Sequence, residues 1–164
     1  QVQAFDLQYY STVLTGAIIN RQDAIEWAPA WKAWYDRARN MHKNYRVPST
    51  TKVTQNIVAN CRDWCAKQSA LPITQAYGGH YFSPRQSVWI DVLRSSLPKN
   101  ESVKTVALSA LIQAASQCAA APGHTAQPFQ PTRTAKPFLV DAWEKDIVQF
   151  TEKIFMSLCT RIAN

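Results

Sequence analysis

The chain has 164 residues, of which 46% are hydrophobic and 18% charged, enough for a domain of this size to bury roughly 70% of its unfolded surface around one core. That composition excludes a disordered polymer. It also excludes a membrane span, because even the most apolar stretch, Val103 to Ala121, is interrupted by Lys104, Gln113 and Gln117. Eighteen Lys and Arg against eleven Asp and Glu give a net charge of +7, a balance that suits a polyanionic partner, DNA first, or on charge alone an ordinary basic soluble protein.

In chain order, Val2 to Asp6 reads as a short strand ending on an acid. A helix over 7–20 follows, with Leu7, Tyr10, Leu14, Ala17 and Ile18 on one face. The next helix spans 31–46, striped by Trp31, Trp34, Tyr35, Ala38 and Tyr45. Pro48-Ser49-Thr50 breaks it and offers an N-cap to a helix over 51–69 that carries Val53, Ile57, Cys61, Trp64 and Cys65. Residues 72–83 read as a loop. Ser83-Pro84-Arg85-Gln86 is a capping-box pattern with proline at the first helical position, and it opens a helix over 84–96 that buries Val88, Trp89, Val92 and Leu93. Asn100 caps the clearest period in the chain, 101–120, with Val103, Val106, Ala107, Ala110, Leu111, Ala114, Ala115 and Cys118 in register. A second loop runs from Ala121 to Lys136. The last helix covers 138–162, marked by Leu139, Trp143, Ile147, Phe150, Ile154 and Leu158. The expected fold is mainly α: about six helices and one short N-terminal strand in a single mostly helical domain over 1–164, with no internal repeat.

Cys61 and Cys65 lie four apart on one helix face, and no second Cys or His pair follows at zinc-finger spacing. They read, with Cys118 and Cys159, as reduced thiols in a cytoplasmic protein's core, and no metal is expected. Catalytic signatures are missing: there is no phosphate-cradling Gly-rich loop, no nucleophile elbow and no paired metal-ligand motif. No basic-then-apolar signal segment opens the chain, and Met occurs only at 41 and 156, so a processed protein or a piece of a longer one is expected.

Positive charge gathers between Trp31 and Lys67, where Lys32, Arg37, Arg39, Lys43, Arg46, Lys52, Arg62 and Lys67 face only Asp36 and Asp63. The two loops combine other chemistry. Gly78-Gly79-His80-Tyr81-Phe82 joins backbone freedom to aromatics, and Gly123-His124-Thr125-Ala126-Gln127 joins it to hydrogen-bonding groups, with Arg133 and Lys136 close behind. Such groups suit phosphate and base-edge contacts. The competing reading makes Tyr81, Phe82 and Phe129 pins that hold their loops to the core, Gln127 a loop-internal hydrogen bonder and His80 and His124 local hydrogen-bonding residues.

Ala4-Phe5-Asp6-Leu7-Gln8-Tyr9-Tyr10-Ser11 followed by Ala17-Ile18-Ile19-Asn20 resembles a stretch of the Dam-like (class-alpha) adenine-specific DNA methyltransferases. Tyr81-Phe82-Ser83-Pro84, Ile90-Asp91, Leu93-Arg94 and the run from Ala107 through Gly123-His124 to Phe129 resemble that family's middle region, so the resemblance covers most of the chain. It implies that Asp6, at the acidic end of a cofactor-domain strand, holds S-adenosylmethionine, although Phe5 stands where the family has Asn. It implies that 1–22 ends the cofactor domain and that 23–164 is a helical DNA-recognition region. The family's Gly-rich motif belongs before residue 1 and its Asp-Pro-Pro-Tyr motif after residue 164. By itself the chain therefore carries no catalytic residue, and its partners are double-stranded DNA and the rest of the enzyme. On this reading Arg85, His124, Thr125, Gln127, Arg133 and Lys136 share one DNA-facing surface, with His80 and Tyr81 at its edge. The alternative is a non-enzymatic helical nucleic-acid-binding or regulatory module.

Overall fold

The computed structural model describes residues 9–19, 24–123 and 126–161, without the side chain of Tyr9. Among these residues the protein is mainly helical. It contains α1 (Tyr9–Ile19), α2 (Trp27–His42), α3 (Gln55–Ala66), α4 (Pro72–Tyr77), α5 (Pro84–Ser95), α6 (Glu101–Cys118), α7 (Lys136–Glu144) and α8 (Ile147–Cys159). The only extended pairing described is an isolated bridge between Gly78 and Phe82. The strand expected at residues 2–6 lies outside the described residues. No described helix is long and apolar enough to cross a membrane.

Local chemistry explains most helix starts. Both halves of the capping box at Ser83 and Gln86 form, and Asn100 accepts from the Val103 amide at 3.1 Å. The cap of α3 falls later than expected, at Thr54, whose hydroxyl accepts from the Ile57 amide, while Ser49 and Thr51 bond to each other instead.

Two departures raise the helix number from about six to eight. Residues 72–77, expected as loop, form α4, because the buried carboxylate of Asp91 accepts from the amides of Ile73 and Thr74 in its first turn. The helix expected over 138–162 breaks at Lys145-Asp146. There the Gln86 side-chain amide donates to the carbonyls of Ala142 at 2.8 Å and Lys145 at 2.9 Å, satisfying the end of α7, while Asp146 caps α8 through the Val148 and Gln149 amides. The break restarts the buried face as Ile147, Thr151, Phe155 and Leu158, so Phe155 is fully buried whereas Phe150 and Ile154 are only partly so.

Helix α5 lies in the middle, buried from Gln86 to Leu93. The main core joins its Val88, Val92 and Leu93 to Trp31 and Trp34 of α2, Val106, Ala110 and Ala114 of α6, and Phe155 of α8. Small residues on α6 let α1 and α8 pack closely against it. The Trp34 indole donates to the Leu93 carbonyl at 2.9 Å, and Arg37 donates to the carbonyl of Ser96, so α2 satisfies the end of α5. A second cluster packs Val58 and Cys61 of α3 against Leu139, Ala142 and Trp143 of α7, with Val53 and Ala120.

Candidate functional site

The turn after α4 is built around glycine. Gly79 has φ +74°, a left-handed conformation that disfavours other residues. A Cβ on Gly78 would stand 2.6 Å from the Cys65 sulfur and 2.9 Å from the Ser87 hydroxyl, so the chain here lies against α3 and α5. The Tyr77 carbonyl, at the end of α4, faces the amides of His80 and Tyr81 at 3.2 and 3.0 Å, and Gly79 donates to the Phe82 carbonyl at 2.8 Å. His80 is thereby held half-buried. Desolvation, and then the nearby Arg62 charge, hold its pKa below the ordinary histidine value.

This turn is tied to the loop before α7. The Ala120 amide donates to the Tyr81 carbonyl and the Phe129 amide to the Ala120 carbonyl, both at 2.8 Å. The Tyr81 hydroxyl reaches the Ala126 carbonyl at 3.2 Å. Arg62 spans the same gap from α3, with Nε on the Gly79 carbonyl at 3.0 Å and Nη2 on the Gln130 side chain at 3.1 Å. Phe129 stacks on Phe138 of α7 at 5.5 Å, so its ring pins the loop, as does Tyr81. The two loops that sequence reading singled out are therefore one hydrogen-bonded unit.

That unit displays Gln127, Arg133 and Lys136, all exposed, and neither cation forms an ion pair with a described residue. Asp6, His124 and Thr125 lie outside the described residues. Arg85 is exposed and lines a cleft of about 450 Å³ whose walls are Val47 to Thr51, Trp89 and the Trp143–Ile147 connection, with no residue of the 120–136 loop. His80, Tyr81 and Gln127 belong to the joined loops, and Arg85 lies at the start of α5, four residues after Tyr81.

Arg62 belongs to the basic run between Trp31 and Lys67, and its guanidinium is hydrogen-bonded within the protein. Its hydrogen-bonded partners lie 17 and 68 residues away, beyond any local pattern. Asp91, on which α4 and hence the turn depend, carried no local signal for that task. The cysteines form a buried set rather than a reactive one. Burial pushes the Cys61 thiol up, Cys65 up to about 12 and Cys118 up to about 11. Among the described residues no three His, Cys, Asp or Glu side chains gather as a metal site.

No protein family, curated protein or solved structure matches the chain. The joined-loop unit sets the half-buried His80 beside Arg62, and it leaves Gln127, Arg133 and Lys136 exposed along the hydrogen-bonded loops.

Proposed function

We propose that the chain is the DNA-recognition segment of a DNA adenine methyltransferase, and that the complete enzyme transfers a methyl group from S-adenosylmethionine to the adenine amino group. One observation carries the reading: the Gly78–Phe82 turn and the 120–136 loop, which include Tyr81-Phe82, Gly123-His124 and Phe129 of the family resemblance, are hydrogen-bonded into a single unit with Gln127, Arg133 and Lys136 on its exterior. Arg133 and Lys136 serve as phosphate contacts, and Gln127, whose amide can pair bidentately with adenine in the major groove, serves as a base reader. Asp6 is the residue assigned to the cofactor. It lies outside the described residues, and the remaining binding and catalytic motifs are assigned to flanking sequence.

The test is duplex-DNA affinity against salt concentration for the wild type and for Arg133→Ala with Lys136→Ala. Loss of two phosphate contacts flattens the slope of log affinity against log salt by about 2. Identical slopes remove this loop from the interface. The same protein extended by its flanking sequence is expected to bind S-adenosylmethionine. DNA binding with no cofactor affinity after that extension favours the non-enzymatic module instead.

A further inference from the structure

Away from the joined loops, positive charge is organised along one face of α2. Lys32, Asp36, Arg39 and Lys43 recur at steps of four, three and four residues, which places them on a common face, while Trp31, Trp34 and Ala38 are buried on the other. The one acid of this face lies in its middle. Asp36 pairs with Lys32 at 2.6 Å, and that hydrogen bond, joined by the Lys32, Arg39 and Lys43 charges, holds its carboxyl below the usual range. Beyond it Arg39 and Lys43 continue the face, and Arg46 follows in the chain after the helix has ended. Arg39, Lys43 and Arg46 are exposed, and none forms an ion pair with a described residue.

A second helix adds to this patch. Trp31, Tyr35, Trp89 and His42 form a run of near-parallel rings, ending with His42 on Trp89 at 4.2 Å and 15°. That stack fixes the C-terminal turn of α2 on α5. Arg85 stands one turn before Trp89, and its charge acts on His42, whose pKa is lowered first by burial and then by Arg85; no carboxylate opposes either effect. Arg85 of α5 is thereby placed close to the C-terminal end of α2, where Lys43 follows His42. Arg37 and Arg62, by contrast, are turned onto backbone carbonyls and add little outward charge.

We propose that Arg39, Lys43, Arg46 and Arg85 form a track for the backbone phosphates of duplex DNA, a surface additional to the joined loops. The proposal rests on the nucleic-acid reading above. Arg39 and Lys43 are separated by about 6 Å along the helix axis, within reach of neighbouring phosphates that rise ~3.4 Å per nucleotide along one strand. Three of the four cations are arginines, whose planar donors match phosphate oxygens. The His42–Trp89 stack holds the C-terminal turn of α2 against α5, which carries Arg85, before any partner arrives.

The experiment measures anisotropy of a short fluorescein-labelled DNA duplex with the wild type, with Arg39→Gln/Lys43→Gln/Arg46→Gln together, and with Arg85→Gln, between about 50 and 200 mM salt. All four positions are exposed, and equal melting temperatures check that the variants fold. The triple variant is expected to lose at least about tenfold in affinity and flatten the slope by 2–3, and Arg85→Gln to flatten it by about 1. The His42 ring, followed by NMR, is expected to titrate at higher pH when duplex is bound, because phosphates screen Arg85. Wild-type binding with slopes unchanged in both variants, or with His42 unmoved, overturns the track and leaves the nucleic-acid reading standing. Failure of the wild type to bind duplex at the lowest salt overturns both.

Discussion

Replacing Asp91 with alanine is expected to destabilise the fold by about 3 kcal/mol. Asp91 is 2% exposed, and its carboxylate accepts from the Ile73 amide at 3.0 Å, the Thr74 amide at 2.7 Å and the Thr74 hydroxyl at 2.8 Å. Leu71, in the N-cap position of α4, has no side-chain acceptor, so Asp91 provides across the fold what a local Ser or Asp provides at most helix starts. The alanine variant orphans these donors. A buried unsatisfied donor costs about 1–3 kcal/mol and a lost cap about 0.5–2 kcal/mol, and because the same groups enter both figures the total stays near the upper part of the range. Asparagine keeps one acceptor oxygen and is expected to lose about half as much. Urea unfolding reads the difference. With a slope of about 2 kcal/mol per molar, the midpoint falls by about 1.5 M for alanine and about 0.75 M for asparagine. Since α4 ends at the Tyr77 carbonyl that holds His80 and Tyr81, amide exchange at those two residues is expected to accelerate with that at Thr74. A midpoint shift under about 0.25 M at constant slope would refute the argument that this carboxylate holds α4.

The glycines separate by geometry. Gly79→Ala, with φ +74° and a Cβ placed 2.9 Å from the Arg62 backbone, is expected to lower stability by more than about 1 kcal/mol, whereas Gly123→Ala meets open space and is expected to be neutral or slightly stabilising, both read by thermal melting. The buried thiols are expected to resist a thiol-specific disulfide reagent at pH 8 in the native state and to react once unfolded; rapid native labelling of Cys61 or Cys65 contradicts the burial argument. His42 protonates less readily when folded, so the unfolded state binds more protons just below the ordinary histidine pKa. Stability is then full above about pH 6.5 and falls as pH drops below it. His42→Phe keeps a ring on Trp89 and is expected to reduce that acid loss in urea midpoints compared at pH 5 and 7, with His80 supplying part of what remains.

The sequence by itself determined those features that depend on neighbours three or four residues apart. The capping box at Ser83 and Gln86, the Asn100 cap and the small-residue period of α6 all appear where spacing placed them. The Trp31–Trp34–Ala38 stripe is buried, and the described residues between Ala121 and Ala135 are non-helical as expected, whereas of the 72–83 stretch only the part after Tyr77 is. Tertiary structure decided what depends on distant partners. Residues 72–77 become helical because Asp91 caps them from 17 and 18 residues away, and the last helix divides because Gln86 satisfies carbonyls 56 and 59 residues beyond it. The same holds for the candidate site. Gly78–Phe82 and the 120–136 loop join through Arg62 and Tyr81, while Arg85, sharing a sequence neighbourhood with Tyr81, is carried by α5 to the cationic end of α2. Helical periodicity records which face of a segment is apolar, but not which distant donor or carbonyl will meet its polar ends. Those pairings arise only once packing has set the helices against one another.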